Sequence, residues 1–207
     1  GAPPLLELPT DRPRPPVRSS RGGKVPFLLP QPLTGRLHEL ARRHGTSLFM
    51  VLLPGCQALL ARWSGQDDIV AGTYSGNRPR RELEGLIGFF IETLVLRTDL
   101  KGNAGDPSFA ELVRRVRETT LEAYAHRDLP FEKLLEILQL PRDPSRTPLF
   151  QALLVLQNFP PVRAELSTGV RLSSLAAERK TSDYDLGLWL GEGPEGIGGA
   201  LQYSTDL

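Results

Sequence analysis

Apolar residues recur at helical spacing in the first third of the chain and predict two consecutive helices. Residues 32–44 carry one apolar stripe and are followed by Gly45, which suits a helix end. Residues 47–63 are apolar on nearly every face, which is typical of a helix buried against a sheet. Because a proline inside a helix removes a hydrogen bond, Pro54 predicts a kink in this second helix.

A third, amphipathic helix is predicted from residue 109 onwards. Ser108 and Glu111 have the spacing of a capping box at its start. Pro130 is expected to end this helix and to lie in the first turn of a fourth helix that runs to Leu138. The predicted apolar side of the third helix consists of Phe109, Leu112, Val113, Val116, Thr120 and Tyr124.

Short apolar and β-branched runs, bounded by turn-forming residues, predict six strands. The two that lie furthest along the chain are expected to form a hairpin across the glycine-rich residues 191–196. Strands interleaved with helices predict an α/β fold, a mixed open sheet with flanking helices on at least one face. The predicted strands cover residues 68–75, 91–98, 150–156, 170–177, 184–190 and 199–203.

Proline dominates the beginning of the sequence and predicts an extended, solvent-running linker or strap. Proline can neither propagate a helix nor donate a hydrogen bond to a sheet. The prolines concerned are Pro3, Pro4, Pro9, Pro13, Pro15 and Pro16.

Charge and cysteine content narrow the classes of function. Lys and Arg (25) nearly cancel Asp and Glu (24), so a net charge of +1 provides no global field for nucleic acid or an anionic membrane. Cys56 is the single cysteine, which excludes an internal disulfide framework and suits a reducing cytosol. We see no leader in which a charged segment precedes an apolar one. The longest apolar runs are far shorter than the ~20 residues that span a bilayer, so we expect a cytoplasmic protein.

Three strings in the middle of the chain stand out, and the first predicts a fixed entry into a strand. Gly88 permits close backbone approach, and Phe89 with Phe90 is predicted to anchor a turn in apolar surroundings. The three strings are IGFFIETLVLR at 87–97, HRDLPFE at 126–132 and RDPSRTPL at 142–149.

The second and third strings also have structural explanations. Asp128 is predicted to cap the helix that Pro130 begins, which we favour over an acid–base pair with His126 because residues two apart on a helix do not face each other. The third string is predicted to be a rigid connection in which Arg142 and Arg146 cap carbonyl groups or pair with carboxylates.

Together the strings resemble the last three signature motifs of the condensation domains of nonribosomal peptide synthetases, which join carrier-tethered aminoacyl groups through an amide bond. The resemblance implies a chloramphenicol-acetyltransferase-like fold. The family's catalytic His-His-x-x-x-Asp-Gly string is not found in this sequence, so no catalytic residue is assigned and the chain resembles the C-terminal lobe. The matching motif residues are Gly88, Phe89, Thr93, Arg97, Asp128, Pro130, Phe131, Arg142, Asp143 and Arg146.

The resemblance also implies an organisation along the chain. Residues 1–24 would be the interlobe linker and residues 25–207 the lobe, cut before its last helix. Residues 76–88 would form the floor loop of a reaction tunnel between the lobes, and residues 157–170 a latch onto the other lobe. The predicted tunnel-facing residues are Tyr74, Ser75 and Gln157.

The partners that the resemblance implies are the N-terminal lobe, donor and acceptor carrier proteins and an adjacent adenylation domain. Substrates would arrive on the phosphopantetheine arms of the carriers, and we expect no directly bound cofactor, metal, nucleic acid or membrane. Two alternatives stay open. The chain could be a non-catalytic carrier-protein docking or interaction module, or the corresponding lobe of an epimerisation, cyclisation or terminal-transfer relative.

Overall fold

The computed structural model describes residues 1–76, 78, 80–83, 85–102, 106–158 and 180–207. Its strands form one six-stranded sheet in the order β1-β6-β5-β4-β2-β3. The predicted strand at 170–177 lies outside the described residues. The elements are β1 (Gly22–Pro30), α1 (Gln31–Arg43), α2 (Leu48–Ser64), β2 (Asp68–Gly76), β3 (Ile91–Asp99), α3 (Phe109–Ala125), α4 (Phe131–Leu138), β4 (Ala152–Gln157), β5 (Leu186–Gly193) and β6 (Gly196–Ser204).

The sheet is mixed, as predicted. β2 pairs antiparallel with β3 and parallel with β4, and β4 continues parallel to β5. The predicted hairpin between β5 and β6 is confirmed, and β6 pairs antiparallel with β1 at the sheet edge. The strand β1 was not predicted, because Pro26 and Pro30 disrupt its pattern. Both prolines are tolerated since an edge strand needs only one partner.

The first two helices lie where they were predicted. Ser47 caps α2 by accepting a hydrogen bond from the backbone N–H of Met50 (3.3 Å), and α2 continues past Pro54. The kink expected at Pro54 stays a prediction. Within the described residues no single helix has the length and apolar content to cross a membrane, although α1 and α2 pass that test jointly across a bend of 106°.

Three helices cover one face of the sheet and form the main core with it. α2 and α3 pack on each other, α2 packs on the central strands β2 and β4, and α3 packs on the edge strand β3. α1 packs against α2 and β6. This arrangement explains the nearly continuous apolar content of α2, which contacts helices on one side and strands on the other. Fully buried members of this core are Leu53, Leu96, Val116, Leu154 and Ile197.

The start of α3 confirms half of the predicted capping box. The Ser108 hydroxyl oxygen accepts a hydrogen bond from the backbone N–H of Glu111 at 3.2 Å. The Glu111 carboxylate does not return to the cap but accepts hydrogen bonds from Arg114 and Arg115. The predicted apolar side is wrong at its two ends, because Phe109 and Tyr124 are exposed.

The helix α4 differs from the prediction at its N-terminus. Its N-cap position is Pro130 and has no side-chain cap hydrogen bond, so the prediction that Asp128 caps this helix is wrong. Proline with extended backbone is sufficient to start a helix here, because its fixed φ is compatible with the first turn. His126 is the C-cap residue of α3, in agreement with its predicted place at that helix end.

The proline-rich segment at the start of the chain is extended and mostly exposed, but it is attached to the rest of the fold at two points. Leu6 is buried, and its backbone N–H donates to the side-chain oxygen of Gln151 at 2.8 Å. Further along, Arg14 forms two hydrogen bonds with Asp185. The prediction of an extended segment in solvent holds for most of its residues, and the attachment at Leu6 and Arg14 was not predicted. Proline fixes an extended backbone without deciding what that backbone packs against.

Candidate functional site

The face of the sheet opposite the three helices carries a cluster of aromatic and aliphatic side chains. Because strand residues alternate between faces, Ile69 and Ala71 join the helix-side core, whereas Val70 and Tyr74 point to the other side. We call this second surface the aromatic face. Its members are Val70, Tyr74, Val95, Phe131, Leu149, Phe150, Leu153, Val155, Tyr184 and Trp189.

Phe150 is the centre of the aromatic face. Its ring stacks on Tyr184 with centroids 5.4 Å apart and meets Phe131 at 5.7 Å. A tight turn aims the ring: the backbone N–H of Phe150 donates to the carbonyl oxygen of Pro148 at 2.9 Å, and Leu149 between them has φ of +67°. A positive φ at leucine is unfavourable, so the surrounding packing must hold this turn in place.

Two tyrosine hydroxyl groups meet at the edge of this cluster. The hydroxyl oxygens of Tyr74 and Tyr184 are 3.0 Å apart, and the Tyr74 ring lies 5.9 Å from the ring of Trp189. Trp189 in turn donates its indole N–H to Gln202 at 2.9 Å. Burial and the hydrogen bond with Tyr74 raise the pKa of Tyr184, so this phenol stays neutral at physiological pH.

The parallel strands β2 and β4 separate beside these tyrosines. Their ladder ends at the pair Gly72↔Leu153. Beyond it β2 continues to pair with β3 as far as Gly76, and β4 with β5 as far as Gln157. The described sheet therefore has a gap between the carboxyl ends of two adjacent parallel strands, and ligands of open α/β sheets bind at strand carboxyl ends.

The structure brings together two of the three residues that were predicted to face a tunnel. Tyr74 is half-buried beside the gap, and Gln157 is exposed on the same face of the sheet, following Leu153 and Val155 at alternate positions. Ser75 is partly exposed and lies on the opposite, helix-bearing face by the same alternation. The tunnel-facing role of all three stays a prediction.

Tyr184 and Trp189 contribute to this site but were not predicted to do so. The place of Trp189 could have been inferred from β5 itself, where Gly187 and Trp189 alternate with the leucines that enter the helix-side core. Tyr184 precedes β5, so this alternation does not place it. The contact between Tyr184 and Tyr74 joins positions 110 residues apart. No local pattern reports such a pairing.

The segment before β3 exposes apolar side chains. Ile87 and Phe89 are 104% and 86% exposed. The prediction that Phe89 anchors a turn in apolar surroundings is therefore wrong, whereas Phe90 is partly buried and its ring lies 4.1 Å from the Arg78 guanidinium. Of the predicted floor loop, residues 77, 79 and 84 lie outside the described residues, as do residues 159–170 of the predicted latch.

Metal chemistry has no support in the described part of the chain, where no group of three or more His, Cys, Asp or Glu side chains could hold an ion. A cavity of about 450 Å³ lies on the helix-bearing side. It is open to solvent and is lined by His44, Thr46, Ser108, Ala110, Glu111, Val113, Arg114 and Arg117.

The fold and its site can now be compared with known proteins. A model of the Condensation domain family matches residues 1–207. The chain belongs to the condensation domain family. It is 50% identical, over its whole length, to a subunit of linear gramicidin synthase from Brevibacillus parabrevis, of which it spans 4%. It is 45% identical to malpinin synthetase from Mortierella alpina, of which it spans 3%. The chain therefore covers only a small part of these relatives.

Solved structures agree with this membership and with the predicted chloramphenicol-acetyltransferase-like fold. The X-domain in a complex with OxyB from teicoplanin biosynthesis is 34% identical with a TM-score of 0.88, and the match covers 100% of this chain and 45% of that one. A four-domain nonribosomal peptide synthetase bound to AMP and glycine is 25% identical with a TM-score of 0.89, and the match covers 100% and 16%.

In this condensation domain, the third of the three strings braces the entry to β4. The Asp143 carboxylate accepts hydrogen bonds from the backbone N–H (2.9 Å) and hydroxyl (2.6 Å) of Ser145, which hold the pKa of Asp143 below its usual value. Arg146 pairs with Asp143 at 2.6 Å, as predicted for this arginine. Arg142 is exposed and forms no ion pair with any described residue, so the prediction is not met there.

The first string of the condensation domain supplies the strand β3. Thr93 lies opposite Tyr74 in the ladder, so the string borders the tyrosine pair. At the other end of the strand, Arg97 donates to both oxygens of Asp68 at 3.0 and 2.7 Å, which joins β3 to the start of β2. These contacts are structural, in agreement with the interpretation of the strings as architectural elements.

Proposed function

We propose that this chain is the C-terminal lobe of a condensation domain that forms an amide bond between aminoacyl or peptidyl thioesters carried by carrier proteins. Residues 1–24 would be the linker from the N-terminal lobe, and β1 would start within its last residues. The main support is the family match over the whole chain, combined with coverage of 45% of a solved X-domain chain. A partner lobe of similar size would complete such a domain.

The chemistry that we propose is attack of an acceptor amine on a donor thioester. The nitrogen–carbon bond forms, the carbon–sulfur bond breaks, and the thiol of the donor's phosphopantetheine arm leaves. The sequence of this chain does not contain the family's histidine string, so we assign removal of the amine proton to the other lobe. This lobe would align the two thioesters, and alignment alone can lower the barrier by several kcal/mol.

The aromatic face and the gap between β2 and β4 would form this lobe's side of the tunnel. The face is apolar, its aromatic rings are fixed by mutual contacts, and the gap lies at strand carboxyl ends. Tyr74 and Gln157 would line the tunnel from the same face, and Ser75 from the strand end. The predicted latch would leave the sheet at Gln157, where β4 ends.

The exposed apolar residues before β3 support a floor loop that lies on the other lobe. Leu86, Ile87 and Phe89 are exposed next to one another in sequence. Exposed apolar patches of this kind mark interaction sites. The wider partners in the proposal are donor and acceptor carrier proteins and an adenylation domain, in the cytoplasm. The similarity to a four-domain nonribosomal peptide synthetase is consistent with such neighbours.

Reconstitution tests the proposal directly. Donor and acceptor carrier proteins, each loaded with an aminoacyl thioester, are mixed with the complete condensation domain, with the 207-residue chain, or with the complete domain lacking the second histidine of its His-His string. Peptidyl product on the acceptor carrier is measured by mass spectrometry. We expect product with the complete domain only. Product formed by the 207-residue chain would contradict the division of labour, and no product with the complete domain would contradict amide formation.

A second candidate function is an interaction module without chemistry of its own. It is favoured by the high similarity to an X-domain that was solved in complex with OxyB. In this case the complete domain would bind a carrier protein or another partner and would form no amide in the reconstitution. A relative with epimerisation activity would instead invert a centre of the donor carrier's own substrate, which chiral analysis detects. A relative with cyclisation activity would give a product on the acceptor carrier that has lost one further water, which the same mass measurement detects.

A further inference from the structure

The hydroxyl groups of Tyr74 and Tyr184 have an unused hydrogen-bond donor between them. Their oxygens are 3.0 Å apart, and neither oxygen has a second hydrogen-bond partner among the described residues. A phenol hydroxyl donates once and accepts up to twice. One hydroxyl therefore donates to the other, and the hydrogen of the second remains available. A half-buried donor of this kind is costly unless a ligand or solvent accepts it.

Tyr184 is the better fixed of the two side chains. Its ring stacks on Phe150, and its backbone carbonyl accepts a hydrogen bond from the Ser182 hydroxyl at 2.7 Å. Tyr74 lies near the end of β2, two residues beyond the last pair of the β2–β4 ladder. The 3.0 Å contact allows either hydroxyl to donate, and Tyr74 is the residue that lies beside the gap. We therefore assign the donor role within the pair to Tyr184, an assignment that the two single Phe variants test. The remaining hydrogen then belongs to Tyr74, at the gap.

The surroundings select the chemistry of the acceptor. The described members of the aromatic face carry no formal charge. The two charged side chains that act on Tyr184, Asp183 and Arg18, have opposite signs, so together they do little to compensate an anion. A neutral carbonyl oxygen satisfies the free hydroxyl without this cost. The rings of Trp189 and Tyr74, 5.9 Å apart, provide apolar walls for the atoms around such a carbonyl.

We propose that Tyr74 and Tyr184 form a hydrogen-bonding subsite for a carbonyl oxygen of the thioester-tethered chain. Tyr74 donates to the carbonyl, and Tyr184 is a positioning residue that holds the Tyr74 hydroxyl by donating to its oxygen. The proposal rests on the proposed function, because a tethered acyl chain must pass this face. The carbonyl has two possible sources, the aminoacyl group or an amide of the phosphopantetheine arm.

Kinetics of the complete domain test the subsite. Amide formation is measured with Tyr74→Phe, Tyr184→Phe and the double variant, using an aminoacyl donor linked either to pantetheine or to N-acetylcysteamine. We expect kcat/KM to fall about five- to tenfold in Tyr74→Phe and about threefold in Tyr184→Phe, mostly through KM. The double variant should match Tyr74→Phe, since Tyr184 acts through Tyr74. An effect with pantetheine alone assigns the carbonyl to the outer amide of the arm, which N-acetylcysteamine lacks. An effect with both donors leaves the aminoacyl carbonyl and the inner amide. A propanethiol thioester, which has no arm amide, separates these two: an effect that persists with it assigns the aminoacyl carbonyl, and one that disappears assigns the inner amide.

Tyr203→Phe is the matched control. Tyr203 is on strand β6 at 38% exposure and does not belong to the aromatic face. Its kcat/KM should be unchanged. Independent, multiplicative losses in the two tyrosine variants would overturn the positioning role of Tyr184. Unchanged KM in Tyr74→Phe, with the domain active, would overturn the subsite while leaving the proposed function intact.

Trp189 gives a second measurement that needs no turnover. The chain has two tryptophans, and Trp63 is exposed, so Trp63→Phe in the 207-residue chain leaves Trp189 as the sole indole reporter. Tyr184→Phe should change Trp189 emission while the far-ultraviolet circular dichroism stays native. If the complete domain forms no amide, the proposed function fails. The subsite is then tested by titrating the Trp63→Phe chain with the N-acetylcysteamine thioester and following Trp189 emission. A dissociation constant that Tyr74→Phe does not raise would overturn it.

Discussion

The ring of Phe150 occupies the space directly over Gly72. A Cβ atom added to Gly72 would lie 2.1 Å from Cε2 and 2.3 Å from Cζ of that ring, far inside van der Waals contact. Glycine in the middle of a strand normally weakens the strand. Here it allows an aromatic ring from another segment to approach the backbone of β2, and that same ring stacks on Tyr184.

Replacing Gly72 with alanine should therefore destabilise the fold. We expect Gly72→Ala to lower the free energy of unfolding by about 1–3 kcal/mol, because either Phe150 or the strand must shift. Urea titration followed by circular dichroism measures the change. The control is Gly198→Ala in β6, where a Cβ meets nothing within 4 Å. It should leave stability equal or raise it by about 0.5–1 kcal/mol. Equal stability of Gly72→Ala and the parent would show that the ring moves freely.

The stability of the chain should depend on pH through Glu111. Hydrogen bonds from Arg114 and then Arg115 lower the pKa of Glu111 to about 2. A carboxylate whose folded-state pKa is depressed stabilises the fold above its unfolded pKa and loses this contribution as pH falls towards the folded value. The difference in urea midpoint between the parent and Glu111→Gln should be largest near pH 6 and should shrink between about pH 4.5 and pH 2.

Glu122→Gln on the same helix is the control for this titration. The Glu122 carboxylate forms no ion pair with any described residue. The urea midpoint of the Glu122→Gln variant should therefore stay close to that of the parent across the whole pH range. Added salt should also reduce the effect of Glu111→Gln at pH 6, because exposed ion pairs are screened. A difference for Glu111→Gln that is constant from pH 6 to pH 2.5 would contradict the role of this ion pair.

Gln157 should affect turnover without affecting folding. It is exposed at the end of β4 on the same face as Tyr74. Gln157→Ala and Ser75→Ala in the complete domain should change single-turnover amide formation and leave the unfolding midpoint within the error of the parent. Because Ser75 lies on the helix-bearing face, we expect its effect to be the smaller. If both single-turnover rates stay at the parent value, neither residue borders the tunnel.

Phe89 should behave differently in the single lobe and in the complete domain. It is 86% exposed in this chain, so Phe89→Ala should change the lobe's own stability by less than about 0.5 kcal/mol. In the complete domain, burial of the ring against the other lobe would make the same substitution cost about 1–3 kcal/mol. Thermal unfolding of both forms measures this contrast. Equal, small effects in both forms would place the Phe89 ring outside the lobe interface.

Periodic patterns predicted the elements of this fold well, because burial imposes them directly. α1 and α3 follow the 3.6-residue repeat, α2 is apolar on nearly every face, and five strands follow their short apolar runs. The edge strand β1 has no such signature. It is held by its ladder with β6, and exposed apolar side chains lie on both of its faces, Val25 on one and Leu28 on the other. A strand that depends on a distant partner, and not on its own apolar pattern, cannot be predicted from its own residues alone.

The candidate site was harder to predict, since it depends on contacts between distant segments. Tyr74 could be placed from its strand, but the partner of its hydroxyl lies 110 residues away. Local rules also failed where two explanations competed. Asp128 is a residue type favoured at N-caps, yet Pro130 occupies that position in α4. Phe89 is an apolar residue in an apolar string, which suggested a core position. It lies in a loop, however, and its side chain is exposed.

The pairing of β1 with β6 has a consequence for the synthesis of the protein on the ribosome. The backbone N–H of Ser19 donates to the carboxylate of Asp206, a contact that spans 187 residues. At translation rates of roughly 5–20 residues per second, about 10–40 s pass before this partner leaves the ribosome. During that interval β1 lacks β6, the described strand with which it pairs. The pace of elongation, rather than the intrinsic speed of folding, therefore sets the earliest moment at which this lobe can close.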